Sequence, residues 1–304
     1  MKSCLNYWIA FSLLILAACT SSPERRPEDK RIMYIDDLGR QIVLNKPAEK
    51  IMALAPSMTE MLFAICDTNQ IVAVTQNCNF PEAVKTKPVV NNYPMDYEAV
   101  LKVKPDMIFT VEGITPLADA ERLAQMKIPV YYQKYATVED IFEGIVNIGQ
   151  IMKREKQATK LVDSLRSIKN DISRRTNSRS KPKVLAITWH DPIYAYGKNT
   201  IFTDKLRIAG AVNAIDTTFD ATFPALTREY ILKINPDVIL GGNYQHMDTT
   251  FFRLYPELRR TNAYRSKKIY EVTDDLQSRP SPRVMQSILE IEQIIHPATA
   301  TIRK

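Results

Sequence analysis

Short apolar runs recur along the chain, bounded by Pro, Gly and charged residues: IMALA (51–55), IVAVT (71–75), MIFT (107–110), IPVYYQ (128–133), KVLAITW (183–189) and KKIYEVT (267–273). Runs of this length and composition predict strands. Between them, apolar residues fall three and four positions apart in PSMTEMLFAIC, ADAERLAQMK, FTDKLRIAGAVN and SPRVMQSILEIEQIIHP, which predicts helices. Ser57 or Thr59 is the expected cap of the first, with Glu60 in its first turn. Ser281 is the expected cap of the last, with Pro282 in its first turn. Strands alternating with helices of ten or so residues predict α/β architecture with parallel sheets.

One pattern occurs twice. VLKVKPDMI (100–108) returns as ILKINPDVI (231–239). Each is the end of a helix, a Pro that stops it, and a buried strand. Two similar α/β lobes would carry such a repeat; so would a common helix–Pro–Asp–strand turn arising twice. Between the halves, residues 138–175 contain no Pro and only Gly144 and Gly149. Ile141, Ile145, Ile148, Met152, Leu161, Leu165, Ile168 and Ile172 keep helical spacing, with a longer gap in the middle. As one helix of about 36 residues this segment would run roughly 54 Å and restrict the lobes to small motions.

The N-terminus changes the picture of where the chain works. After Lys2 comes the apolar stretch YWIAFSLLILAA (7–18), short for a membrane span, ending in LAAC and followed by the polar TSSPERRPEDKR. A cysteine placed directly after small residues resembles a bacterial lipoprotein box, which makes Cys19 the lipidated first residue of the mature protein. The expected division is a signal peptide (1–18), a tether (19–31), an N-terminal lobe (32–137), the linking helix (138–177) and a C-terminal lobe (178–304). The protein would then sit on the periplasmic side of a bacterial membrane or on the cell surface, held by its lipid. Cys66 and Cys78 remain after processing. An exported chain permits a bridge, but the strand-like run between them carries the chain away and disfavours it.

Composition narrows the functional classes. The net charge of +7 is scattered, and its densest run, RSIKNDISRRTNSRSKPK (166–183), reads as a helix end and linker. No nucleic-acid recognition motif accompanies it. The chain has 8 glycines and lacks GxGxxG, P-loop and GxSxG motifs. Asp36–Asp37 and Asp274–Asp275 are adjacent pairs, a poor arrangement for converging on one substrate atom, so no enzyme is expected. His190, His246 and His296 lie too far apart in sequence for a recognisable metal site.

DDLGRQIVLNKPAEKIMALAPSMTEMLFAI, NFPEAVKTKPVV, the two KPD/NPD segments and SRPSPRVMQSI follow one another in an order that resembles the helical-backbone class of ABC-transporter substrate-binding proteins. The resemblance runs from about Tyr34 to Pro297. It implies two Rossmann-like lobes on one long backbone helix, a ligand cleft between them and a membrane permease as partner. It also implies a monomer that carries a metal-chelate ligand, with no cofactor or resident metal. Its cobalamin-binding branch is the nearest match. By position it places aromatic ligand contacts at Tyr194 and Phe223, polar ones at Asp275 and Arg279, and Tyr93 and Trp189 nearby. It places the two glutamates that dock the permease at Glu60 and Glu229. Two carboxylates on rigid lobes form a two-point address for arginines. The internal repeat points elsewhere, since the counterpart of Glu229 is Glu98.

The chain also departs from that branch. Asn92 and Val111 stand where it has tryptophans and Asn77 where it has a tyrosine, although Tyr93 and Phe80 are near enough to compensate. The corrinoid expectation therefore stands beside a ferric siderophore, which favours cleft arginines such as Arg279 and Arg228. It also stands beside haem, which favours a Tyr or His ligand such as Tyr93, Tyr194 or His190.

Overall fold

The computed structural model describes residues 31–297; the segment 1–30, with the signal-peptide expectation and Cys19, lies outside the described residues. The strands are β1 (Ile32–Ile35), β2 (Gln41–Leu44), β3 (Ile51–Ala53), β4 (Ile71–Thr75), β5 (Val89–Val90), β6 (Met107–Val111) and β7 (Val130–Gln133), then β8 (Lys183–His190), β9 (Ile193–Ala195), β10 (Val212–Asn213), β11 (Val238–Leu240) and β12 (Ile269–Tyr270). The helices used below are α1 (Pro56–Ile65), α2 (Tyr97–Val103), α3 (Leu117–Gln125), α4 (Val138–Ile151), α5 (Glu155–Thr176), α6 (Ile201–Ile208) and α7 (Arg228–Ile234). An eighth, α8 (Val284–Ile295), closes the second lobe.

In the first lobe five parallel strands run in the order β5-β4-β3-β6-β7. In the second, β10-β8-β11-β12 are parallel and β9 adds antiparallel to β8. β6 is buried at every residue, as expected of a parallel strand covered on both faces. Each chain path starts at a central strand, β3 or β8, and builds outward on both sides. Such switch points open a crevice at the carboxyl ends of the strands. The hairpin β1–β2 is tied beside β7, where Asp37 N–H donates to the Tyr132 carbonyl at 3.1 Å.

The internal repeat is structural. α2 and α7 both end on a left-handed residue, Lys104 (φ 51°) and Asn235 (φ 44°), before Pro105 and Pro236. The following aspartates play the same part. Asp106 Oδ2 accepts from the Glu49 and Lys50 amides at 3.0 and 2.9 Å, and Asp237 Oδ2 accepts from the Lys183 amide at 3.0 Å. Each ties the start of its own strand to the start of its neighbour.

Three sequence expectations are corrected. The linking segment is not one helix. α4 and α5 are joined by Met152–Arg154 and pack antiparallel: Glu139 pairs with Lys169 at 2.8 Å and with Arg166, while Gly149 sits against Ala158. The break is a Schellman motif. Lys153 adopts φ 55°, its amide donates to Gln150 O at 3.3 Å, and the Arg154 amide donates to Gly149 O at 2.6 Å. α5 alone has 22 residues, about 33 Å of helix. In α1 the helix starts at Pro56 with Ala55 as cap, so neither Ser57 nor Thr59 caps it and Glu60 lies in the second turn. At the other end Arg283, not Ser281, precedes the first turn of α8.

A single buried cluster runs through both lobes. It includes Met58 and Phe109 from the first, Ile141, Ile145, Leu165 and Ile172 from the α4–α5 hairpin, and Val184, Phe202 and Ile288 from the second. The lobes therefore share a core along the hairpin, which opposes wide hinge opening. Cys66 and Cys78 are free.

Candidate functional site

The crevice predicted by the switch points is present. A cavity of about 1120 Å³ lies between the lobes. First-lobe segments that follow strands line it: Ala55–Ser57 after β3, Gln76–Asn79 after β4, Glu112–Ile114 after β6 and Lys134–Ala136 after β7. The second lobe contributes Tyr196, Asn199–Ile201, Thr222 and Phe223, with Asp275, Gln277 and Ser278 from the short helix Asp274–Ser278 and Arg279 and Pro280 just after it. A second cavity of about 750 Å³ lies within the second lobe and shares Tyr196, Phe223, Gln277 and Ser278 with the first. Those four residues form a wall common to both.

Phe223 is 47% exposed and stands at the junction. Its ring meets Tyr196 edge-on at 5.3 Å, and Tyr196 in turn stacks on Phe202 at 4.5 Å. Burial, with a smaller push from Asp274, raises the Tyr196 phenol to about 12, so it meets a ligand as a neutral aromatic. Burial also drives the Tyr135 phenol well above its ordinary value. Trp189, 63% exposed, lines the smaller cavity beside His190; its indole N–H donates to Asp191 O at 2.8 Å. His190 Nε2 lies 3.1 Å from Gly241 O.

The predicted residues divide cleanly. Phe223, Asp275 and Arg279 line the inter-lobe cavity, and Trp189 the smaller one beside it. Tyr194 faces Trp189 across the β8–β9 ladder and lines neither space. Tyr93, 83% exposed, lines neither either. Asn92, which replaces an expected aromatic, donates to Leu54 O at 2.9 Å and so braces the end of β3. Tyr196, Lys134 and Asn79 were missed. Only their positions just beyond strand ends could have flagged them.

Charge in the cleft is balanced. Lys134 pairs with Glu112 at 3.1 Å, and Arg279 pairs with Asp275 at 2.7 Å and Glu60 at 3.1 Å. Glu60 is buried, unlike the exposed docking glutamate expected. Its side chain is 1% exposed and is covered by Arg279 and Arg283 of the other lobe, so it presents no surface charge to a permease. Glu229 is exposed in the first turn of α7, where its own amide and the Thr227 hydroxyl hold its carboxyl below the usual range. Glu98 is exposed in the first turn of α2, the matching place in the repeat.

Two parallel-sheet lobes, a shared helical spine and a ligand-sized cleft at the strand ends define a two-lobed binding protein. The model of the periplasmic binding protein family matches residues 51–276, and the chain belongs to that family. It is 29% identical to the ABC transporter substrate-binding lipoprotein YvrC of Bacillus subtilis, covering 98% of this chain and 99% of the relative. It is 22% identical to the vitamin B12-binding protein of Vibrio parahaemolyticus, covering 81% and 89%. Among solved structures, a protein of Staphylococcus epidermidis described as a possible iron-binding periplasmic solute-binding protein superposes with a TM-score of 0.74 at 26% identity. That match covers 83% of this chain and all of the other.

Proposed function

We propose that the protein is the lipid-anchored substrate-binding component of an ABC importer and that it captures a corrinoid between its lobes. The observation that carries the ligand reading is the combination of size and charge in the cleft. The inter-lobe cavity alone, at about 1120 Å³, exceeds the usual range for drug-sized ligands. Its lining cations are each matched by a carboxylate, which suits a large ligand of little net charge better than a polyanionic chelate. Phe223, Tyr196 and Trp189 supply apolar walls, and Arg279, Asp275 and Asn79 the polar fixers. The B12-binding relative supports the same ligand.

Delivery follows from the exposed carboxylates. Glu98 and Glu229 occupy equivalent first turns of equivalent helices, one per lobe, and form the two-point address for permease arginines. Cys19 carries the lipid, and the tether lets the rigid body reach its partner.

The first described strand begins at Ile32, so a protein beginning at Thr20 keeps every described element. Calorimetric titration of that protein with cyanocobalamin should give saturable one-to-one binding, weakened at least tenfold by Phe223→Ala. Absence of binding by the folded protein, with binding of haem or a ferric siderophore instead, would replace the corrinoid with that chelate.

A further inference from the structure

The densest polar group in the cleft joins the lobes to each other. Glu60 belongs to α1 of the first lobe, whereas Arg279 and Arg283 precede α8 in the second. Arg283 grips the carboxylate with two donors, Nε to Oε2 at 2.8 Å and Nη2 to Oε1. Arg279 Nη1 donates to the same Oε1 at 3.1 Å and to Asn79 Oδ1 at 2.6 Å, and its Nη2 donates to Asn77 O at 3.2 Å. Asn79 Nδ2 donates in turn to Asp275 Oδ2 at 2.7 Å. The Phe80 ring lies over the Arg283 guanidinium at 4.3 Å. Residues 77–80 follow β4 of one lobe, and residues 275–283 follow β12 of the other. Every one of these bonds, apart from the Asp275–Arg279 pair, crosses the cleft.

We infer that Glu60 is an inter-lobe clasp: it fixes the width of the cleft and positions the Arg279 guanidinium against the ligand space. The first half stands on the geometry alone; the second rests on the reading of the cleft as the ligand site. A carboxylate shared by two arginines neutralises charges that would otherwise repel at close range. Without it, two largely buried guanidinium groups share one small space, and separation of the two loops relieves them. Asn79, Asn77 and Phe80 would then lose their partners together with Glu60. The buried ion pair thus takes the place that ligand-driven closure holds in a hinged binding protein.

Hydrogen exchange on the ligand-free chain from Thr20 tests the clasp directly. In Glu60→Gln, amides of residues 76–80 and of 276–287, in opposite lobes, should exchange at least fivefold faster, while α5 and β8 keep their rates. Arg283→Gln should reproduce this from the other side. Acceleration confined to α1, acceleration spread evenly over the chain, or no change overturns the proposal. Should Glu60→Gln not fold, Asn79→Ala removes clasp bonds without exposing a charge. Faster exchange at 276–287, in the lobe opposite the substitution, supports the clasp, and unchanged rates there refute it. For the positioning role, Glu60→Gln and Arg279→Gln should each weaken cyanocobalamin at least tenfold, and the double variant no further; additive losses refute it. If the unaltered protein binds no cobalamin, the ligand reading fails while the exchange result still decides the clasp.

Discussion

Lys205 offers a sharp test of how the ligand loop is held. It lies fully buried in α6, and its Nζ donates to Leu276 O at 3.1 Å and Gln277 O at 2.9 Å, in the short helix that carries Asp275 and is capped by Arg279. Burial pulls the ammonium from its ordinary 10.5 down to about 7, against the upward influence of Glu290. The unfolded chain therefore binds this proton more readily than the folded one between about pH 7 and 10.5, and stability rises with pH across that window. Integrated from pH 7 to 9, the gain is about 2 kcal/mol. Cys66, which burial pushes up from 9.0 to about 12, opposes it as the pH approaches and passes 9, where the unfolded thiol ionises first, and does so equally in wild type and variant. Lys205→Met removes the titration. Urea unfolding at pH 7, 8 and 9 should show wild-type stability climbing relative to the variant by about that amount. Parallel pH profiles would refute the argument, because they would mean Lys205 titrates alike in both states.

The remaining expectations concern docking and the spine. Glu98→Lys with Glu229→Lys should abolish uptake in cells and leave ligand affinity within twofold in calorimetry; lost affinity would sink the docking role. A Cβ at Gly149 would lie 2.5 Å from the Ala158 Cβ, so Gly149→Ala should lower thermal stability by about 1–3 kcal/mol as the hairpin is wedged apart. Lys153 holds a left-handed conformation that costs a side chain energy, so Lys153→Gly should raise the denaturation midpoint, by about 0.5–1 kcal/mol. A drop instead would show that a continuous helix through residue 153 is the real spine.

Much of the architecture follows from the order of residues alone. Apolar runs mark β3, β4, β6, β7, β8, β11 and β12, because a doubly covered parallel strand is apolar throughout, whereas the hairpin β1–β2 and the short β5, β9 and β10 carry no such run. The KPD and NPD segments show a helix stop and a buried strand in each half, because these are local events, while that the two halves are matching lobes is seen in the equivalent left-handed ends and aspartate ties. The residues beyond strand ends are legible as the cleft once the sheets are known to be parallel. Three things needed the tertiary structure. The α4–α5 turn is marked in sequence only by the apolar gap between Met152 and Leu161, since a left-handed Lys leaves no signature and the turn is set by packing of Gly149 on Ala158. That Trp189 and not its strand partner Tyr194 lines a cavity depends on the course of the β8–β9 ladder, and Phe223 and Tyr93 lie outside the strands, where periodicity does not reach. The role of Glu60 was out of reach for the plainest reason. A carboxylate in an amphipathic helix reads as solvated, and the arginines that bury it stand 219 and 223 residues away along the chain.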